Sequence, residues 1–197
     1  GIAMEFVKQA KRSGMKVVGH EFTTDKSTDF AATLTALKAR KVDAIFFGGY
    51  APQGAPMVRQ MRQLGLNAKL LGGDTLCSPE MAKLGGDAVG ENVLCVQGGA
   101  ILDKQAGGPA FKAAYKKRFK MDPDVYAASF YDQMKFIAQA MQATNSTDPS
   151  VVGTAMHTTS YKGVVGNYAY DDKGNMKQSA VTVYTFKNGA PTALASY

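Results

Sequence analysis

Two short apolar segments of the chain end in the same way, and this repeat constrains the fold more than any other feature. The segments are Ile45–Tyr50, with the sequence IFFGGY, and Leu70–Asp74, with the sequence LLGGD. A single helical segment separates them, so the pattern predicts a strand–helix–strand unit with parallel strands. Both strand ends then lie at one edge of the sheet, where open α/β folds bind ligands. We therefore expect Tyr50 and Asp74 to project into one crevice, and two ordinary Gly-Gly turns are the alternative interpretation.

The first 120 residues alternate between helical and strand patterns. A helix over residues 2–13 precedes a strand over Met15–Phe22, and Asp29 is suited to cap the next helix. Alternation at this spacing predicts an α/β fold with a doubly wound, mostly parallel, Rossmann-like sheet in a three-layer αβα arrangement. Three further strands are predicted at residues 43–47, 68–71 and 92–96.

After Gly107-Gly108-Pro109 the pattern changes to longer helices and then to strands. One long helix carries an apolar stripe at spacings of three and four, which predicts packing in the core. Strands are predicted at residues 163–170 and 180–187, and Asn188-Gly189 indicates a hairpin into residues 192–196. The members of the stripe are Tyr126, Phe130, Met134, Ile137 and Met141.

Composition indicates a globular chain with a substantial core. Of 197 residues, 45% are hydrophobic and 20% are charged, and no apolar run approaches the length needed to cross a bilayer. The amino-terminal residues have the pattern of an amphipathic helix without an N-cap, so we expect the chain to belong to a longer protein. The net charge of +7 is scattered. Its densest cluster, Lys112–Lys120, alternates with aromatic residues and is typical of a solvated helix face rather than a nucleic-acid site.

The chain has two cysteines, Cys77 and Cys95. They could form a disulfide, which loop-closure arithmetic values at about 3 kcal/mol, or they could be two buried free thiols. The prediction favours the disulfide if the compartment is oxidising. No histidine lies near either cysteine in the sequence and no metal-ligand spacing occurs, so we predict no metal site.

Sequence patterns of catalysis are absent. No phosphate-binding glycine loop, nucleophile elbow or HExxH segment occurs, and we predict neither cofactor nor enzymatic activity. Asp171 and Asp172 form an adjacent carboxylate pair, but a turn after a strand explains them. These observations favour a binding protein.

Several segments resemble one known family. Phe46–Pro52, Met57–Gly65 and Gly72–Asp74 closely resemble the leucine/isoleucine/valine-binding proteins, which are periplasmic, type I substrate-binding components of branched-chain amino-acid ABC transporters. Further matches are Glu21–Lys26, Leu84–Ala88 and Asp171–Asn175. The resemblance covers essentially the whole chain and implies a type I periplasmic-binding-protein fold that is incomplete at the amino-terminal side.

The same resemblance implies a lobe organisation and site residues. Residues 1–120 would form most of the second lobe without its first strand, residues 121–170 would complete the first lobe, and residues 171–197 would return toward the second lobe. Asp74 matches an acidic residue, often Glu in the family, that accepts hydrogen bonds from the ligand ammonium group. Tyr50 matches an aromatic wall of the ligand pocket. Tyr126 matches an aromatic residue that touches the ligand side chain, and simple core packing is its alternative.

The implied partners are a small amino acid of the branched-chain type and the membrane permease of an ABC transporter, in the periplasm. We expect no nucleic-acid partner, and unpaired strand edges would favour association of this chain with another copy. A ligand-sensing domain of a transcription regulator or receptor with the same fold is the alternative function. A nucleotide-binding enzyme is a third and weaker hypothesis, because the phosphate fingerprint is missing.

Overall fold

Seven α-helices and seven strands follow one another in the computed structural model, which describes residues 1–197. The helices are α1 (Ile2–Arg12), α2 (Ala31–Ala39), α3 (Ala51–Gln63), α4 (Pro79–Gly85), α5 (Gly108–Phe119), α6 (Ala127–Thr144) and α7 (Pro149–Thr158). The strands are β1 (Ala44–Phe47), β2 (Lys69–Gly72), β3 (Val93–Gly98), β4 (Tyr161–Lys162), β5 (Asn167–Tyr168), β6 (Val181–Lys187) and β7 (Ala190–Ser196).

The chain divides into two units. Unit 1 comprises Gly1–Gln97 with Val183–Leu194, and unit 2 comprises Gly98–Thr182 with Ala195–Tyr197. The lobe boundaries expected from the sequence stay a prediction. No helix is long and apolar enough to cross a membrane.

The main sheet has the strand order β1-β2-β3-β6-β7. Strands β1, β2 and β3 are parallel, with Ile45 opposite Leu70 and Leu70 opposite Val93. The predicted strand–helix–strand unit is therefore confirmed, and the α/β fold with a mostly parallel sheet is the one that was expected. The carboxyl ends of the three parallel strands share one edge, because parallel strands run in one direction.

The core of unit 1 lies between the sheet and the helix pair α3 and α4. Val58, Leu70, Leu76, Met81 and Val93 are fully buried there. Burying an aliphatic or methionine side chain contributes about 1.5–3 kcal/mol, so this layer supplies much of the unit's stability. On the other face α1 stacks Phe6 on Phe46 of β1, with ring centroids 4.1 Å apart.

The helix predicted over residues 2–13 is confirmed, and side-chain caps mark the starts of two further helices. Gly14 follows α1 at φ +76°, Ser78 accepts the Met81 N–H at the start of α4, and Asp148 accepts the Ser150 N–H at 2.8 Å. The cap of α2 is one residue later than expected: Phe30 occupies the N-cap position, while Asp29 Oδ1 accepts the Ala31 N–H at 3.0 Å.

The hairpin signal is also confirmed. Asn188 and Gly189, which connect β6 to β7, both have positive φ, at 52° and 75°. A two-residue hairpin turn needs this backbone conformation, and Asn-Gly is the dipeptide that adopts it most readily.

The strand predicted over Met15–Phe22 is wrong. No strand forms there, and Phe22 is 88% exposed. β1 has β2 as its only neighbour and ends the sheet at that side. A β-prone sequence without an adjacent strand has no ladder of hydrogen bonds, and its propensity alone does not form a strand.

The predicted strand over residues 163–170 is replaced by a small antiparallel pair. Tyr161 pairs with Tyr168 and Lys162 with Asn167, which leaves residues 163–166 as a loop. The backbone of this loop turns because the N–H groups of Val164 and Val165 donate to the buried side chain of Asp132.

The predicted core stripe of α6 is wrong in part, because Phe130 and Met134 are exposed. Phe136, one of the buried residues of α6, stacks near Tyr161 and Tyr170, with centroid separations of 6.0 and 5.9 Å. The helix therefore buries the face next to α7 and the β4–β5 pair rather than the more apolar face. The buried residues of α6 are Ala128, Asp132, Phe136 and Ala140.

Candidate functional site

The first predicted site residue, Tyr50, stands at the carboxyl end of β1. It occupies the N-cap position of α3, and its carbonyl oxygen accepts the Gln53 and Gly54 N–H groups at 3.1 and 2.9 Å. A Cβ at Gly49 would overlap the Phe47 ring, so the residue before Tyr50 has no room for a side chain. The hydrogen bonds at the start of α3 fix the backbone of Tyr50, while its side chain is 65% exposed.

The second predicted site residue, Asp74, follows β2 and begins a short 3-10 turn over Asp74–Leu76. Its carbonyl oxygen accepts the Cys77 N–H at 2.8 Å, and its side chain is exposed. A Cβ at Gly72 would overlap the Leu76 side chain, and one at Gly73 would lie 2.8 Å from Ile2 Cδ1. The glycine pair therefore lets the turn pack closely on both sides.

A side-chain hydrogen bond joins the two loops. Thr75 Oγ1 donates to the Gly49 carbonyl oxygen at 2.6 Å, and the register places Phe47 opposite Gly72. The structure thus brings Tyr50 and Asp74 onto adjoining loops at one sheet edge, within unit 1. An aromatic ring with a hydroxyl and an exposed carboxylate can there offer apolar contact and accept hydrogen bonds from a cation.

A third glycine pair was missed from the sequence. The apolar strand β3 also ends in glycines, Gly98-Gly99, and the residue before them is Gln97. Gln97 is only 8% exposed, and its side-chain oxygen is buried without a hydrogen-bond partner. The repeated apolar–Gly-Gly pattern was the signal that could have drawn attention to this position.

The two cysteines form a disulfide, as favoured from the sequence. Cys77 lies just after the Asp74 turn and Cys95 lies in β3, with their Cα atoms 5.5 Å apart. Both residues are buried. The bond ties the turn that carries Asp74 to the neighbouring strand, which restricts its movement.

The third predicted site residue, Tyr126, lies in unit 2 and not in unit 1 with the other two. It precedes α6, is half-buried, and its ring lies 6.2 Å from that of Phe130. Asp124 Oδ1 accepts the Tyr126 N–H at 3.0 Å and the Ala127 N–H at 2.9 Å. Together with Tyr115 these residues line an open depression of about 490 Å³.

The other candidates from the sequence have structural explanations. Asp171 closes a turn in which the Asn175 side chain donates to its carboxylate, and this bond is the main cause of a lowered Asp171 pKa. On α5, Lys112 and Lys116 pair with Asp103 and Asp122, both at 3.2 Å. No cluster of three or more histidine, cysteine or carboxylate side chains is placed to hold a metal ion.

Open α/β sheets bind ligands at the edge where their parallel strands end, which is the edge that carries the glycine pairs here. The chain belongs to the periplasmic binding protein family, whose model matches residues 2–191. This family is one of binding proteins, and the resemblance identified from the sequence is confirmed.

Two curated relatives within this family are amino-acid-binding proteins by name. The chain is 33% identical over 191 residues to the Leu/Ile/Val-binding protein homolog 1 of Brucella abortus, covering 96% of this chain and 51% of the relative. It is 28% identical to the leucine-, isoleucine-, valine-, threonine- and alanine-binding protein of Pseudomonas aeruginosa, covering 96% of this chain and 50% of that protein. The chain thus spans about half the length of the curated relatives it matches.

A solved structure agrees with the fold. The crystal structure of the leucine-binding protein LivK from Thermotoga maritima superposes with a TM-score of 0.89 at 27% identity. The match covers 100% of this chain and 56% of that one.

Proposed function

We propose that this chain is part of a solute-binding protein that captures a small amino acid of the branched-chain type and delivers it to the membrane permease of an ABC transporter. The observation that carries the proposal is the glycine-lined edge of unit 1, where Tyr50 and Asp74 stand on adjoining loops. Family membership and the amino acids after which the relatives are named support the same class of ligand.

Each site residue has a proposed role. The Asp74 carboxylate accepts hydrogen bonds from the α-ammonium group of the ligand, because ionised partners form stronger hydrogen bonds than neutral ones. The Tyr50 ring packs against the ligand and its hydroxyl donates to it. Tyr126, in the aromatic depression of unit 2, is proposed as an apolar contact for the ligand side chain.

We infer that the protein acts by binding alone, without enzymatic chemistry and without a cofactor. It would act in the periplasm, and the Cys77–Cys95 disulfide supports an oxidising compartment. In the whole protein, residues 1–120 would contribute to one lobe, residues 121–170 to the other, and residues 171–197 would return to the first of these. The single neighbour of β1 leaves an unpaired strand edge, so the chain expressed alone should associate with another copy, which light scattering would detect.

The test is a thermal-shift titration of the full-length protein with leucine, isoleucine and valine. A ligand that binds only the folded state stabilises it by about 2.7 kcal/mol at a hundred times its Kd, which raises the Tm measurably. Asp74→Asn should remove most of this gain, whereas Asp74→Glu should keep it because the carboxylate is retained. An undiminished gain in Asp74→Asn would show that the ammonium assignment is wrong.

Asp43→Asn is the matched control. Asp43 directly precedes β1, so it lies at the amino end of the same set of strands. Its substitution is the same chemical change as Asp74→Asn, made at the opposite edge of the sheet. Its ligand-induced Tm shift should equal that of the wild type. Tyr50→Phe should weaken binding less than Tyr50→Ala, because the phenylalanine ring keeps the apolar contact and loses only the hydroxyl.

A further inference from the structure

Unit 2 contains a fully buried carboxylate that the proposed ligand site does not use. Asp132 of α6 is 0% exposed. Its Oδ1 accepts the Val164 N–H at 2.8 Å, and its Oδ2 accepts the Val165 N–H at 2.9 Å and the Tyr168 hydroxyl at 3.2 Å. None of the ion pairs of the chain includes Asp132, so these three donors stabilise its oxygens.

The loop over residues 163–166 is built around this carboxylate. A Cβ at Gly163 would overlap the Asp132 carboxyl group, so only glycine allows the approach. The Gly163 N–H donates to the Gly166 carbonyl at 2.8 Å, which closes the loop. Burial, and secondarily the Asp132 charge, raise the pKa of Tyr168, so its hydroxyl stays a donor to the carboxylate.

The loop in turn holds the segment after β3. The Val165 carbonyl accepts the Ala100 N–H at 3.2 Å, and the adjacent Gly99 N–H donates to the Ala180 carbonyl at 2.8 Å. Thr182 Oγ1 donates to the Gly99 carbonyl at 2.7 Å. A continuous relay of hydrogen bonds therefore runs from Asp132 to the beginning of β6.

The relay also reaches the carboxyl terminus. Thr182 Oγ1 lies 3.1 Å from Ser196 Oγ, and Val181 and Tyr197 exchange two backbone hydrogen bonds of 2.9 Å. The polypeptide passes between the units after Gln97, after Thr182 and after Leu194. At each of these three crossings, the residues on the unit 2 side belong to this one hydrogen-bond network.

We propose that Asp132 is a positioning residue that, through the Val164–Val165 loop, holds together the three chain segments by which the polypeptide enters and leaves unit 2. Segments that link compact units absorb any hinge movement. Asp132 fixes the loop, the Val165 carbonyl of the loop holds Ala100, and the adjacent Gly99 bonds to Ala180 and Thr182, so the three segments open together rather than one at a time. The inference does not depend on the identity of the ligand.

The decisive variant is Asp132→Asn, which keeps the shape of the side chain. An asparagine has one acceptor oxygen, and its NH2 group would face a donor, so one of the two loop N–H groups loses its partner. Residue-resolved amide hydrogen exchange should then be about tenfold faster or more at Val164 and Val165. The same acceleration should extend to Ala100, Gly99 and Val181, while amides of α7 and β2 keep their rates.

Asp124→Asn is the matched control, because Asp124 also accepts two backbone N–H groups in unit 2 but lies outside the relay. It should leave exchange at Ala100 and Gly99 unchanged. If Asp132→Asn accelerates only Val164 and Val165, or if it accelerates α7 equally, the carboxylate is a local structural anchor and the proposal is overturned.

The unmodified protein supplies a test that does not depend on a variant folding. Under native conditions with low denaturant, Val165, Ala100 and Gly99 should share one opening free energy and one denaturant dependence, as members of one cooperative unit do. Different values for these three amides would contradict the proposal.

Discussion

The two units use carboxylates in opposite ways. In unit 1, Asp74 is exposed on a turn that packs closely at its glycine pair and is tied to β3 by a disulfide. In unit 2, Asp132 is buried, and its oxygens accept three hydrogen bonds from the chain itself. An exposed carboxylate is accessible to an incoming cation, whereas a buried one that accepts hydrogen bonds from backbone N–H groups organises the backbone around it.

The difference shows that residue type alone does not assign a role. Asp74 follows a strand and a glycine pair, a context that indicates a ligand site. Asp132 lies within α6, whose sequence has an amphipathic pattern and no motif that indicates a site. The chemistry of the two side chains is identical, and the surrounding donors decide what each one does.

The largest expected effect comes from removing the two carboxylates separately. Asp132→Ala leaves two buried N–H groups and the Tyr168 hydroxyl without an acceptor, so it should lower the free energy of unfolding by about 4 kcal/mol. Asp74→Ala should cost about 1 kcal/mol or less, because the side chain is exposed. Urea denaturation followed by circular dichroism measures both, and equal losses would abolish the contrast between the two regions.

The disulfide tests how strongly the Asp74 turn is supported. Replacing both cysteines, Cys77→Ser with Cys95→Ser, should lower the free energy of unfolding by about 3 kcal/mol, because an 18-residue connection is released in the unfolded chain. Urea denaturation of the wild type with and without reductant provides the control. A reduced wild type as stable as the oxidised one would show that the turn does not need the bond.

The glycines of the two units should respond in opposite directions. Gly72→Ala forces Leu76 to move in a packed core and should cost about 1–3 kcal/mol. Gly153→Ala, in the middle of α7 with nothing within 4 Å of the new Cβ, should gain about 0.5–1 kcal/mol from helix propensity. Thermal denaturation of the two variants side by side measures the signs, and a stable Gly72→Ala would mean that the edge is not closely packed.

The smallest expected effect concerns Asp171, a half-buried turn residue whose carboxylate accepts hydrogen bonds within its own turn. Its lowered pKa, caused mainly by the Asn175 side chain, means that the turn is stabilised above the pKa of the unfolded chain. This contribution is lost as the pH falls through the folded-state pKa. Carbon-detected NMR titration should give a midpoint below the usual value of about 3.9, and Asn175→Ala should raise it.

Local patterns were enough to predict much of unit 1. The apolar runs before Gly48 and Gly72 specified two parallel strands, and Asn188-Gly189 specified a hairpin. These signals succeed because turn geometry depends on neighbouring residues. The adjoining positions of the Tyr50 and Asp74 loops followed from the same reasoning, since parallel strands end at one edge.

What failed from sequence depended on neighbours distant along the chain. The Met15–Phe22 segment has the composition of a strand, yet it does not pair with the free edge of β1, and β-propensity without pairing does not form a strand. Phe130 and Met134 have helical spacing, yet α6 buries Asp132 and Phe136 instead.

The repeat of strand, glycine pair and polar residue, together with family resemblance, was thus determined by the sequence itself. The environment of Asp132, the loop around it and the burial of Gln97 were decided only by tertiary structure. The physical reason is that a polar group's partners are contributed by elements 30 or more residues away, as with Asp132 and Val164. No local pattern contains that information.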